Sequence, residues 1–243
     1  MDDPLPKQRS QALWDNASGE TMRLIDEGIR DIRQSLMIMA QEVAGSVRNA
    51  LTALHRRDAD LAMTVLDREQ AIDAREVEID EKCLDLLARY QPEASDLRFI
   101  TMAMQINNDL ERIGDHAVNL SHRTLDLIRI GLPPETLEVI AMGQACVEVL
   151  EDATLCFLNQ DFALVQKVLT SDDEMDRRRD KIFRTILEGM MSQPESVEAR
   201  LHLLLISRDI ERIADLSTNI AEDVHYILTG QTVKHHLKPR AEE

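Results

Sequence analysis

Aromatic residues make up only 3% of this 243-residue chain, and it holds just 8 glycines and 7 prolines. So few turn-formers and aromatic residues, beside many long-chain charged residues, point away from sheet-rich folds and toward an all-α protein. The cysteines are Cys83, Cys146 and Cys156. An odd count without a CxxC pair excludes a disulfide framework and a thiolate metal site, and suits a reducing compartment with buried thiols. No uncharged apolar run approaches the ~18 residues of a membrane span. The opening Met1-Asp2-Asp3-Pro4-Leu5-Pro6 lacks the apolar segment of a secretory signal. A cytoplasmic location is therefore expected, with membrane contact only through another protein. Positive charge is also short, with 28 Lys and Arg against 45 Asp and Glu and a net charge of −17. That balance excludes direct nucleic-acid binding and a hold on anionic lipid, and suits cations, a basic partner surface or simple solubility. There is no Gly-rich phosphate loop and no nucleophile beside a base, so an enzyme is not expected.

Enough apolar residues are present, at 44%, to build a real core. Residues 1–19 read as a flexible lead. Helical patterns follow over about 21–57, 59–90 and 95–129, with Pro92 ending the second and Ser95 placed to cap the third. Gly131-Leu132-Pro133-Pro134 is the clearest break and sets the expected boundary between a first bundle, 20–131, and a second, 132–230. The second holds patterns over about 135–159, 162–191 and 196–228, ending near Gly230, with a tail at 231–243 that includes His235 and His236.

The two parts repeat one another. Asp109-Leu110-Glu111-Arg112-Ile113-Gly114-Asp115 matches Asp209-Ile210-Glu211-Arg212-Ile213-Ala214-Asp215 at an offset of 100, and Asn119 matches Asn219. Earlier, Asp58-Ala59-Asp60-Leu61 matches Asp161-Phe162-Ala163-Leu164 at an offset of 103. A duplication into two tandem three-helix bundles explains both.

Acidic residues recur at helical spacing beside apolar ones. At about 100° per residue, Asp73, Glu76 and Asp80 fall within about 40° of Glu69 on the second pattern. Ala62, Val65, Leu66, Cys83, Leu84 and Leu87 share that arc, so the acids are expected to interrupt the inward face. On the fifth pattern Asp172, Asp176 and Asp180 share an arc with Val165, Val168, Leu169, Phe183, Ile186, Leu187 and Met190. Acids so placed carry a desolvation cost of several kcal/mol each and need protons, basic partners or bound cations. Arg68 and Arg75 fall off the first arc, whereas Arg179 lies within the second and could pair with Asp172 or Asp176. Gly114 and Ala214 are small enough for a neighbouring helix to come close. Glu69 and Asp73 are then expected to face Glu111 and Asp115, and Asp172 and Asp176 to face Glu211 and Asp215. Each half would hold either an oxygen-rich cation site or a salt-bridged polar stripe. All-oxygen ligands favour Mg²⁺, Mn²⁺, Ca²⁺ or iron. The chain's one Glu-x-x-His candidate, Glu222 to His225, falls short of the pair a ferritin-type centre uses.

These residues carry a resemblance to the PhoU family of phosphate-transport regulatory proteins. The family's E(D)xxxD motif, twice per half, appears as Glu69–Asp73, Glu111–Asp115, Asp172–Asp176 and Glu211–Asp215. The segments Asp80-Glu81-Lys82-Cys83 and 91–98 also look like the family's first half, and the similarity spans roughly 25–230. The resemblance implies metal clusters on those motifs, iron or zinc in some members, so that Fe, Mn, Mg and Zn are all candidates here. It further implies a homodimer and a negative regulator of phosphate uptake and phosphate-starvation signalling, an adaptor between the ATPase of a phosphate ABC transporter and a phosphate-sensing histidine kinase. The second half departs mildly, with Ala214 for the usual glycine and Leu216 where the first half has His116. The alternatives are a metal-dependent carboxylate-bridged enzyme and a metal-binding helical scaffold.

Overall fold

A computed structural model describes residues 6–233, and their side chains from residue 20 onward apart from that of Asp172. Seven α-helices run in order: α1 Pro6–Arg56, α2 Ala59–Leu66, α3 Glu69–Tyr90, α4 Ala94–Ile130, α5 Thr136–Asn159, α6 Phe162–Ser192 and α7 Val197–Thr229. A short 3₁₀ turn, Pro194–Ser196, leads into α7. Among the described residues there is no strand. Helix α1 starts at Pro6 rather than near Thr21, so residues 6–19 of the expected lead are helical. His235 and His236 lie outside the described residues.

The repeat seen in the residues is a repeat of local devices. The Asp58 carboxylate accepts from the Leu61 backbone N–H at 2.9 Å at the start of α2. Its counterpart Asp161 accepts from Ala163 and Leu164 at 2.8 and 3.3 Å at the start of α6. Each satisfies amides that the first helical turn would leave without partners. Gly131 and Gly230 close α4 and α7 at φ of 106° and 69°, where a side chain would be strained.

Two expectations change. The single helix over 59–90 is broken at Asp67 and Arg68, where amides turn back to Met63 and Val65 and α3 restarts at Glu69. At the equivalent place in the second half, the Thr170 and Ser171 hydroxyls bond carbonyls of their own helix and α6 continues. Ser95 does not cap α4: the helix starts one residue earlier, after Glu93, with no side-chain cap.

Helices α1, α3 and α4, with α2, form one bundle, and α5, α6 and α7 the other. They meet through α4 against α7, the most extensive packing in the molecule, and through α1 against α5. Ile106, Leu110 and Ile113 on α4 and Ile206, Ile210 and Ile213 on α7 are all fully buried. Each such side chain contributes about 1.5–3 kcal/mol. One continuous apolar core joins both bundles. An ion pair and an aromatic stack tie the bundles further. Arg48 on α1 pairs with Glu151 on α5 at 2.5 Å. Phe99 on α4 stacks on Phe157 on α5 with centroids 6.2 Å apart.

Candidate functional site

On α3 the buried residues are Ile72, Ile79, Cys83 and Leu86. Their mean direction is turned by roughly 70° from Glu69 at helical pitch. The acids therefore lie on the shoulder of the buried face rather than across it: Asp73 is exposed, Glu76 and Asp80 half-buried. Leu84, expected to mark the core, is 56% exposed. The second half repeats the rotation, with Val168, Met175, Ile182 and Ile186 buried on α6 while Phe183 is 48% exposed. The inward face is set by the column one residue earlier, Cys83 rather than Leu84 and Ile182 rather than Phe183, and Leu84 and Phe183 follow the acids outward.

The shoulder is where α3 meets α4. Gly114 opens the approach, since a Cβ there would meet Ile72 at 3.4 Å. Asn107 on α4, fully buried, fixes the register by donating to the Glu76 carbonyl at 2.9 Å and to Asp80 Oδ1 at 3.0 Å. Carboxylate oxygens of Asp73, Glu111 and Asp115 then come within 4.8 Å of one another. Glu69 does not join them: as the first residue of α3, directly after the break, it stands exposed.

This cluster is electrostatically loaded. Burial pushes the Glu111 carboxyl above its ordinary value, and the charges of Asp115, Glu76 and Asp73 push it further. Asp115 is raised by burial and by Asp73, against an opposing pull from His116. Glu76 is raised by burial, then by Asp80 and Asp73. The basic residues of α3 are turned elsewhere: Arg75 grips Glu42 on α1 at 2.8 and 3.0 Å, and Lys82 reaches Asp31, Glu78 and Ser35. Arg112 contacts Asp109 at 3.4 Å. Three converging oxygen donors, with Glu111 and Asp115 raised in proton affinity and no nitrogen or sulfur ligand in the group, suit a hard or borderline cation.

The second half is built differently. Arg179 on α6 pairs with Asp176 at 3.1 Å, with Asp180 at 2.9 Å and with Glu211 on α7 at 2.5 Å. Those hydrogen bonds, Glu211's first, raise the guanidinium's own proton affinity. Asp215 pairs with Arg212 at 3.4 Å. The side chain of Asp172 lies outside the described ones. Among the described residues, the group in the first half is the only one of its kind. His225 is not near either set. Its Nδ1 lies 3.0 Å from the Gln231 carbonyl, and its ring lies 5.4 Å from Phe162.

One feature escaped the sequence. Asn107 gave no sign of its role, because an asparagine within an apolar stripe does not name its partner. Glu76 was visible as part of the stripe, and its i+3 spacing from Asp73 is the signal that places it beside Glu111.

Comparisons with known proteins agree with this architecture. A family model described as the PhoU domain matches residues 36–124 and again residues 139–224, once in each bundle. The phosphate-specific transport system accessory protein PhoU homolog of Aquifex aeolicus is 32% identical over 222 residues, 91% of this chain and 100% of its own length. The protein of that name, PhoU, from Escherichia coli is 30% identical over 207 residues, covering 85% and 86%. The crystal structure of PhoU from Pseudomonas aeruginosa superposes with a TM-score of 0.83 at 34% identity, over 85% of this chain and 99% of that one. The phosphate transport system regulatory protein PhoU from Streptococcus pneumoniae gives 0.79 at 29% identity, over 86% and 99%. With one PhoU match in each half and relatives aligned over nearly their full length, this chain belongs to the PhoU family.

Proposed function

We propose that this protein is a non-enzymatic regulator attached to a phosphate-specific transport system, and that it keeps phosphate uptake and phosphate-starvation genes repressed when phosphate is plentiful. The reading is carried by the family match in both bundles together with relatives named as accessory proteins of that system. It acts as an adaptor, with the transporter's ATPase on one side and a phosphate-sensing histidine kinase on the other, and it works as a homodimer. Its place is the cytoplasm: among the described residues no helix is long and apolar enough to cross a membrane, and membrane contact runs through the transporter.

The acidic cluster gives this adaptor a cation site. Asp73, Glu111 and Asp115 would hold the ion, with Glu76 beside them. Bound there, a divalent or ferric ion supplies positive charge to a shoulder that is otherwise self-repelling. Iron, manganese and magnesium suit the oxygen donors; zinc, which prefers nitrogen and sulfur, suits them less.

The test is a deletion strain grown in high phosphate and complemented with the wild-type chain or with Asp73→Asn, Glu111→Gln and Asp115→Asn combined. Deletion should release phosphate-starvation genes and the wild type should silence them again. If those genes stay silent in the deletion strain, the regulatory reading fails. If the triple variant silences them as well as wild type, the cation site is not needed for it.

A further inference from the structure

We infer that Arg179 is a built-in counter-ion that takes the place of a bound cation in the second bundle, so that among the described residues the cation position lies in the first bundle only. The inference rests on the cation reading of the first half and reaches a part of the molecule that reading leaves open.

The duplication supplies the argument. At the offset of 103, Asp73 corresponds to Asp176 and Glu76 to Arg179; at the offset of 100, Glu111 corresponds to Glu211 and Asp115 to Asp215. Three of these four positions keep an acid in both halves. The fourth reverses sign, from Glu76 to Arg179. In the first half that position adds a negative charge which raises Glu111. In the second it sends Nη1 between helices, 3.1 Å from Asp176 and 2.5 Å from Glu211. A guanidinium so placed gives both carboxylates the counter-charge that a cation would give them. It also repels any second positive charge at the same point.

A second arginine supports the same division. Arg112 and Arg212 are equivalent, yet Arg112 contacts Asp109, away from the cluster, while Arg212 contacts Asp215 within it. Asp176, Glu211 and Asp215 are thus met by two arginines. Asp73, Glu111 and Asp115 converge on one another instead.

The experiment titrates Mn²⁺ into the full chain, stripped with chelator, by calorimetry. Wild type should show one class of sites, abolished by Glu111→Gln with Asp115→Asn and unchanged by Glu211→Gln. Arg179→Glu should add a second class that Glu211→Gln removes, and Arg179→Met, which removes the charge without adding repulsion, should do so more weakly. Glu76→Arg should close the first site. Wild-type Mn²⁺ binding that falls on Glu211→Gln overturns the inference. So does a folded Arg179→Met chain that gains none. If wild type binds no Mn²⁺, the cation reading of the first half fails. The gain or absence of binding in the Arg179 variants then still decides the role of Arg179.

Discussion

His116 on α4 donates from Nδ1 to Asp209 Oδ1 on α7 at 3.1 Å, next in sequence to Asp115 and two residues from Glu211. Arg123, two turns further along α4, donates Nε to the other Asp209 oxygen at 3.1 Å. Asp209 is 7% exposed, and its two oxygens find hydrogen-bond partners in these two residues of the opposite bundle. Leu216 and Asp223 occupy the positions equivalent to His116 and Arg123, so this clamp exists in one direction only. Replacing Asp209 with alanine leaves His116 and Arg123 facing a polar void at the seam. The expected cost is about 3 kcal/mol, read from the urea midpoint, against a smaller loss for Asp209→Asn. A change below about 0.5 kcal/mol would show the clamp to be dispensable.

The acidic cluster makes stability depend on pH in a definite sense. The native Glu111 and Asp115 carboxyls bind protons more tightly than their ordinary values. Between those ordinary values and the raised native ones, the folded chain holds more protons than the unfolded chain, so stability falls as pH rises through the window. Chelator-treated wild type should therefore gain stability, relative to Glu111→Gln with Asp115→Asn, as pH is lowered from neutrality toward the ordinary carboxylate range. At pH 7 the double variant should be the more stable of the two without cation. Mn²⁺ should reverse that order, with a gain of about 2.7 kcal/mol at a hundredfold excess over its dissociation constant. Parallel melting curves of both proteins across pH would contradict the cluster's electrostatic strain.

Two helical glycines give opposite expectations. A Cβ at Gly45 meets only Arg68 Nη1, at 4.0 Å, so Gly45→Ala should stabilise by about 0.5–1 kcal/mol through reduced backbone entropy. A Cβ at Gly143 on α5 runs into Leu51 Cδ2 on α1, with Leu51 Cδ1 at 2.9 Å. Leu51 is itself core, so Gly143→Ala should cost about 1–3 kcal/mol by overpacking the seam between bundles. Thermal midpoints of the two variants settle both signs.

Cys83 and Cys156 are buried thiols pushed up to about 12, chiefly by desolvation, and Cys146 is raised as well. At pH 8 roughly one thiol in ten thousand would be thiolate. Iodoacetamide should label none of them appreciably in the folded chain, and all of them in urea. Fast labelling of the native protein would show that the core opens locally.

Much of this fold can be read from residues alone, because its elements repeat. The matched Asp58 and Asp161 caps, the Gly131 break and the paired Glu111 and Glu211 segments locate the bundles without coordinates. The facing of each helix was harder to read. Leucine columns such as Leu84 and Leu187 have the same spacing as a core face, and only the neighbouring helix decides which of two adjacent columns is covered. Here Ile72 and Met175 take the covered column. Glu69 was misplaced for a local reason: the break at Asp67 and Arg68, marked by no proline or glycine, makes it the first residue of α3, where it stands exposed. Arg179 was legible as a possible partner within the arc. Its reach to Glu211 was not, because that depends on how closely α6 approaches α7.

The shared apolar core also bears on how this molecule could report anything. Two halves cemented through α4, α7, α1 and α5 leave no obvious joint about which one could swing against the other. If the first-bundle cluster takes up an ion, a protein built this way would answer chiefly by altering the charge it displays, and a partner reading that change would be tuned to potential rather than to posture.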